Sequence, residues 1–193
     1  MAEAWPEGLY PRTMNWGCRY NGRAFTSTLS NAQQIVGYPG SYWTCTLQFD
    51  LLSWEKERLL SGLVGRMRGM VGTVNVPAFT RSRTDDVGVL AVAAASTNSY
   101  AIEVAGFSIE GPVFRAGDYL TVSGQMYEVV TDASAVGGKA TLTVNKRIRS
   151  SIAPGTPIEY KNPYCEMRMT TDFSPVNRGS VSVDGSIELR EAF

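Results

Sequence analysis

The stretch Tyr42-Trp-Thr-Cys-Thr-Leu-Gln-Phe-Asp50 alternates between apolar and polar side chains along its whole length. Trp43, Cys45, Leu47 and Phe49 point to one face of an extended chain, and the polar residues point to the other. This pattern is typical of a β-strand with one buried face. It places Cys45 in a hydrophobic core and predicts that the chain is built on a β-sheet.

A capped helix follows this strand. Ser53 is a favourable N-cap, and Gly69 is a favourable stop, because serine accepts a backbone hydrogen bond and glycine tolerates the left-handed conformation. The spacing predicts a helix over 54–68 that lies across the sheet and covers it. Its apolar face is formed by Leu59, Leu60, Leu63, Val64 and Met67.

The first 41 residues predict an irregular N-terminal segment over 1–12 and then a tight hairpin. Asn21-Gly22 separates the β-type segments 15–20 and 24–29, and this dipeptide suits the positive φ angles of a two-residue turn. After the helix, residues 73–77 read as a further strand.

A polar connection over 80–88 precedes a run of short alternating segments separated by glycine-containing turns. Regular spacing of this kind predicts a small antiparallel barrel or sandwich. The predicted strands of this module are 99–104, 119–122, 126–130, 140–144 and 157–160.

The chain then returns to strand 164–169 and ends in a predicted hairpin, whose strands 180–183 and 186–190 are joined by Asp184-Gly185. The resulting fold class is mainly β. An outer β-sandwich, 1–85 and 161–193, carries the helix 54–68, and a small antiparallel β-barrel or sandwich, 86–160, is inserted into it.

Composition excludes several classes of function. The 193 residues contain no histidine, which removes imidazole-based triads and histidine-ligated zinc. The 18 basic residues balance the 18 acidic ones, so no basic excess favours nucleic acid or a membrane surface. Cys18, Cys45 and Cys165 form no CxxC pair and are interpreted as ordinary buried thiols. No apolar run long enough to span a membrane and no secretory signal is expected, so we predict synthesis in the cytosol without export.

Local motifs for catalysis are weak. Gly138-Lys139-Ala140 lacks the earlier glycine and the final hydroxyl of a phosphate-binding loop, so a hairpin turn explains it better. Asp85-Asp86 fits a solvated turn, since neighbouring side chains of an extended chain point apart. Asp118 fits a turn that enters a strand. We therefore predict no enzymatic activity, no catalytic residue, no metal site and no cofactor.

Most aromatic residues near the N-terminus are expected to pack in the core or on the sheet. Trp5 is the exception, because an irregular segment offers it no evident core of its own. We expect it to dock onto a neighbouring subunit.

The order of segments across nearly the whole chain provides a further indication. It consists of a strand, a capped helix, a glycine-bearing turn, inserted strands and a final pair of strands, in Thr44 to Phe79, Phe114 to Leu120, Met126 to Val129, Gly138 to Val144, Arg147 to Arg149 and Gly179 to Phe193. This order resembles distal tail proteins and related tail-tip, or baseplate, components of long-tailed bacteriophages.

The resemblance implies a structural virion protein with a fold related to tail-tube proteins. It implies a homohexameric ring at the distal end of the tail, which joins the tail tube to the tail tip or baseplate. Expected partners are the chain itself, the tail tube protein, tail-tip or hub proteins and, through the inserted module, tail fibres. Phage DNA is expected only as cargo passing through the ring, and no membrane partner is expected.

Under this interpretation the protein is made in the host cytoplasm and resides in the virion. The candidates for subunit contacts are Trp5, Arg81, Arg83, Asp85 and Asp86. Two alternatives stay open at this point: a carbohydrate-binding module, with the N-terminal aromatic residues or the inserted module as its site, and a minor tail protein that contacts the host surface.

Overall fold

The computed structural model describes residues 2–172, 176–178 and 183–193. The fold is mainly β, with 49% of the residues in strands and 8% in a helix. The β-sandwich with one flanking helix that the sequence predicts is therefore observed. Part of the predicted C-terminal hairpin, 180–182, lies outside the described residues.

The first elements in chain order are β1 (Glu3–Ala4), β2 (Thr13–Arg19), β3 (Gly22–Thr26), β4 (Gln33–Gly37), β5 (Tyr42–Leu52), α1 (Trp54–Met67) and β6 (Val74–Pro77). The strands that follow are β7 (Gly88–Ala95), β8 (Ala101–Phe107), β9 (Gly111–Phe114), β10 (Tyr119–Val122), β11 (Gln125–Glu128), β12 (Ala133–Ala135), β13 (Lys139–Thr143) and β14 (Ile158–Glu159). The last strands are β15 (Tyr164–Met169), β16 (Val176–Arg178) and β17 (Val183–Glu191).

The larger sheet has the order β1-β6-β15-β17-β5-β2, and β16 pairs with β17, which makes seven strands among the described residues. Only the short β1–β6 pairing is parallel within this part of the chain. On β5, Trp43, Cys45, Leu47 and Phe49 are each at most 2% exposed, so the predicted half-buried strand is confirmed.

Helix α1 begins as the sequence predicts, because the Ser53 Oγ accepts a hydrogen bond from the backbone N–H of Lys56 at 3.4 Å. Leu60, Leu63 and Met67 are buried against the sheet. Leu59, which was expected on the same face, is exposed. The buried stripe is thus narrower than the apolar residues indicate.

The helix ends one residue earlier than the predicted range 54–68. Arg68 is the first left-handed residue, with φ at 51°, and Gly69 follows at 67°. A side chain on Gly69 would also collide with the backbone and carboxylate of Asp172. Gly69 therefore has two reasons to be glycine, its conformation and the close approach of Asp172.

The inserted module is a small antiparallel barrel. Within the described residues, β7, β8 and β13 form one ladder and β14, β10 and β11 form another. Single bridges close the circuit, one joining Ala91 to Pro157 and the other joining Val129 to Val144. The two-stranded antiparallel sheet of β9 and β12 packs on the same hydrophobic cluster through Val113, Phe114, Ala133 and Ala135.

Two hydrophobic clusters form among the described residues. One draws its members from 87–160 and the other mainly from 9–78 and 165–189. Met126 of the barrel belongs to the second cluster, and the Trp43 Nε1–H donates a hydrogen bond to its carbonyl oxygen at 2.8 Å. The barrel thereby contacts the core of the sheet through Met126. The division at 85/86 and 160/161 stays a prediction.

Two turn predictions are wrong. Asn21-Gly22 does not join a hairpin, since β2 pairs with β5 while β3 pairs with β4. Asp184-Gly185 lies inside β17, opposite a bulge of β5. Leu51 adopts a positive φ there, and its N–H donates to the Asp184 carboxylate at 2.9 Å. The aspartate that looked like a turn residue satisfies the backbone of this bulge.

Candidate functional site

The charged connection between sheet and barrel is folded back on its own chain. The Arg83 side chain is 15% exposed and donates to Asp85, to Asp118 at 3.2 Å and to the Val113 carbonyl at 3.0 Å. Its guanidinium lies 4.8 Å from the ring centre of Phe114. Arg83 thus anchors the connection to β9 and to the turn before β10.

Hydrogen bonds lower the pKa values of both acidic residues of the connection, Asp85 and Asp86. The hydrogen bond from Arg83 lowers the pKa of Asp85 below its ordinary value and raises the pKa of the Arg83 guanidinium. The backbone N–H of Gly88 and the hydroxyl of Tyr160 lower the pKa of Asp86. Both carboxylates stay ionised near neutral pH and serve the fold of the connection.

Arg81 is the other charged candidate, and its guanidinium lies 5.1 Å from the ring centre of Tyr119. It also donates to the Gly117 carbonyl at 3.4 Å. Arg81, Arg83, Asp85 and Asp86 are therefore brought together at one junction, where each contacts its own chain. A role of these residues in subunit contacts stays a prediction.

Trp5 lies beside Phe79, just before the same connection, and packs against the hydrophobic cluster of the sheet. The expectation that it lacks a core of its own is therefore wrong. Its Nε1–H donates to the Leu9 carbonyl at 2.7 Å. Its ring lies 6.4 Å from Phe49 and 5.6 Å from Phe79, between ring centres. The N-terminal segment is irregular but folds back, because the buried Leu9 and this hydrogen bond hold it against the sheet.

Trp5 also forms the wall of an open groove of about 430 Å³. We call this feature the aromatic groove. Three separate parts of the chain line it, and its main side chains are Trp5, Pro6, Glu7, Tyr10, Phe79 and Pro163. Among the described residues that line it, Glu7 is the single charged one. The groove is thus an apolar surface with one acidic position.

A two-stranded hairpin, Gly22–Gly37, follows the point where Arg19 of β2 pairs with Tyr42 of β5, and we call it the arm. It consists of β3, β4 and a turn in which the Ser27 N–H donates to the Ala32 carbonyl at 2.9 Å. Every residue of the arm except Val36, which is half-buried, is exposed. The arm continues the β2–β5 ladder beyond the body of the molecule.

The exposed side chains of the arm include large apolar ones. Phe25 is 52% exposed, Ile35 is 72% exposed and Leu29, at the turn, is 98% exposed. An isolated two-stranded hairpin is only marginally stable in water, because it has no apolar layer to bury. The arm therefore presents an apolar surface that the described residues leave exposed.

Neither the arm nor the groove was predicted from the sequence. The predicted β-type segment 24–29 is too long, because β3 ends at Thr26 and the turn of the arm begins at Ser27. The mainly polar run Ser27-Thr-Leu-Ser-Asn-Ala32 was the available signal for this turn. The groove has no local signal, since 5–10, 77–79 and 162–163 meet only in the folded chain.

Metal ligands and cysteine thiols are the remaining candidates for a site in the described residues. No cluster of three or more cysteine or acidic side chains that can hold a metal ion is present there. Burial raises the pKa of the Cys18 thiol to about 11 and also raises the pKa values of Cys45 and Cys165. None of the helices in this part of the chain is long and apolar enough to cross a membrane.

Comparison with known proteins gives no family. No protein-family model matches this chain, and no curated protein matches it either.

Proposed function

We propose that this chain is a structural virion protein that forms a ring at the distal end of a phage tail, where it joins the tail tube to the tail tip or baseplate. The order of segments from Thr44 to Phe193 supports the tail assignment by resemblance. The arm is the structural observation that supports assembly, because it presents apolar side chains that nothing in the described chain covers.

Ring formation has a simple geometric requirement that this molecule meets. A closed ring is built from head-to-tail contacts, in which one surface of a subunit meets a different surface of the next. The arm and the aromatic groove are two different surfaces of this chain, since no described residue of the arm lines the groove. The inserted barrel is then free to contact other tip proteins or fibres.

The self-assembly step is tested by native mass spectrometry and negative-stain imaging of the purified chain and of the double variant Phe25→Ser/Ile35→Ser. We expect rings of the wild-type chain and monomers of the variant. The matched control is Val89→Ser/Val136→Ser, which removes two exposed apolar side chains of the barrel and keeps the ring. Monomeric wild-type protein, or rings of the arm variant, would count against the proposal.

Carbohydrate binding is the second candidate, and the aromatic groove is the observation that favours it. Tyr10 presents an exposed ring there, and Glu7 and Asn162 supply polar groups nearby. Calorimetric titration with bacterial surface glycans tests this candidate. Binding that is lost in Tyr10→Ala supports it, and the absence of heat with all glycans contradicts it.

A further inference from the structure

We propose that the aromatic groove of one copy receives the arm of a second copy, and that Arg23 of the arm pairs with Glu7 of the groove. The inference rests on the proposed ring, since it names the contact that joins neighbouring subunits. It commits to a second copy of this chain as the occupant of the groove.

The arm does not occupy the groove of its own chain. It leaves the sheet where Arg19 pairs with Tyr42, and all of its residues except the half-buried Val36 are exposed. The described residues that line the groove come from 5–10, 77–82 and 162–163, and none of them belongs to the arm. The groove is therefore open to the arm of a second copy.

The arm and the groove both present large apolar side chains. The arm presents Phe25, Leu29 and Ile35, and the groove presents Tyr10 and Phe79. Aromatic side chains are enriched at the buried, mainly apolar centre of protein interfaces. Docking would supply the hydrophobic cover that a two-stranded hairpin lacks.

The charges also match. Arg23 is the single charged residue of Gly22–Gly37, and Glu7 is the single charged residue among the described groove lining. Both are exposed, and neither has an ion-pair partner within the described residues. An opposite pair at the rim of an apolar contact selects the register in which the two surfaces dock.

Charge reversal provides the experiment. Arg23→Glu, Glu7→Arg and the double variant are compared with the wild-type chain by analytical ultracentrifugation over a range of concentrations and at low salt. Each single variant opposes two like charges, so we expect at least a tenfold weaker association. The double variant restores an opposite pair and is expected to associate as the wild-type chain does.

Arg58→Glu and Glu103→Arg are the matched controls. They make the same charge changes at exposed positions of α1 and β8, away from both surfaces, and are expected to leave association unchanged. All substituted side chains are exposed, so circular dichroism should show folded protein throughout.

The outcomes separate this inference from the proposed ring. Rings that persist in both single variants overturn the arm–groove contact and leave the ring standing. Dimers or open chains that the single variants dissolve and the double variant restores support the contact and contradict the ring. Single variants that dissociate without recovery in the double variant overturn the Arg23–Glu7 pairing. A wild-type chain that stays monomeric at every concentration contradicts both.

Discussion

Lys146 of the inserted barrel and Glu191 of the last sheet strand form an ion pair that is fully buried between the two parts of the molecule. Their side chains are 1% and 0% exposed, and the Lys146 Nζ donates to a Glu191 carboxylate oxygen. The other oxygen accepts the N–H of Trp43 at 3.0 Å. Burial lowers the pKa of Lys146, while the neighbouring Glu191 opposes that shift. The pair links the barrel to both β17 and β5.

Removing one partner of this pair should be costly. Lys146→Ala leaves a buried carboxylate without its counter-ion, so we expect a loss of about 3–5 kcal/mol in the free energy of unfolding, measured by urea denaturation. Lys146→Met/Glu191→Leu removes both charges and should cost less than either single change. Arg66→Ala, which breaks the exposed pair with Glu3, is the control and should cost less than about 1 kcal/mol. If the Lys146→Ala chain is as stable as this control, the buried ion pair between Lys146 and Glu191 does not hold the two parts together as described.

Arg83 should stabilise the connection between sheet and barrel. Arg83→Ala removes the contacts with Asp85, Asp118 and the Val113 carbonyl, and we expect a loss of about 1–3 kcal/mol in the free energy of unfolding. Arg115→Ala changes an exposed arginine in the same region and should stay within about 0.5 kcal/mol of the wild-type value. Equal effects of the two substitutions would show that the contacts of Arg83 carry no net stability.

Trp5 should matter for folding as well as for assembly. Trp5→Ala removes a half-buried ring from Phe49 and Phe79, and we expect a loss of about 1–3 kcal/mol in the free energy of unfolding. Tyr10→Ala, at an exposed ring of the same groove, should cost less than about 1 kcal/mol. Urea denaturation of monomeric protein separates these values from assembly. A Trp5→Ala chain as stable as the wild type would mean that the ring is not packed as described.

The thiols should react slowly in the native state. With the pKa of Cys18 raised to about 11 from 9.0, the fraction of thiolate at pH 8 is about a hundredfold lower than for the ordinary thiol. Alkylation of Cys18 with iodoacetamide should therefore accelerate as the pH rises from 8 towards 11, and Cys45 and Cys165 should react only after unfolding. Peptide mass spectrometry identifies the modified residue. Modification of Cys18 at pH 8 as fast as a free cysteine peptide would contradict the raised pKa.

The core of the sheet was predictable because its signal is local. The alternation of Tyr42 to Asp50 and the capped helix after Ser53 each report burial within one short segment. The strands β7, β9 and β12 of the barrel were missed. Gly88–Ala95 is an almost continuous apolar run without alternation, and β9 and β12 span only four and three residues.

The candidate site was less predictable, for a physical reason in each case. The arm has no buried face, so the pattern that identifies a half-buried strand is absent from it. Trp5 looked free of a core because its partners Phe49 and Phe79 are distant in sequence. Asp184-Gly185 has the chemistry of a turn, and only the bulge at Leu51 shows why an aspartate lies there in a strand.

The proposed place of this chain in a phage particle has one direct test, immunogold labelling of tailed particles that carry it. Antibodies raised against the purified chain should label a single position, the distal end of the tail where tube and tip meet. Label on the capsid, along the whole tail or on no part of the particle would contradict the account.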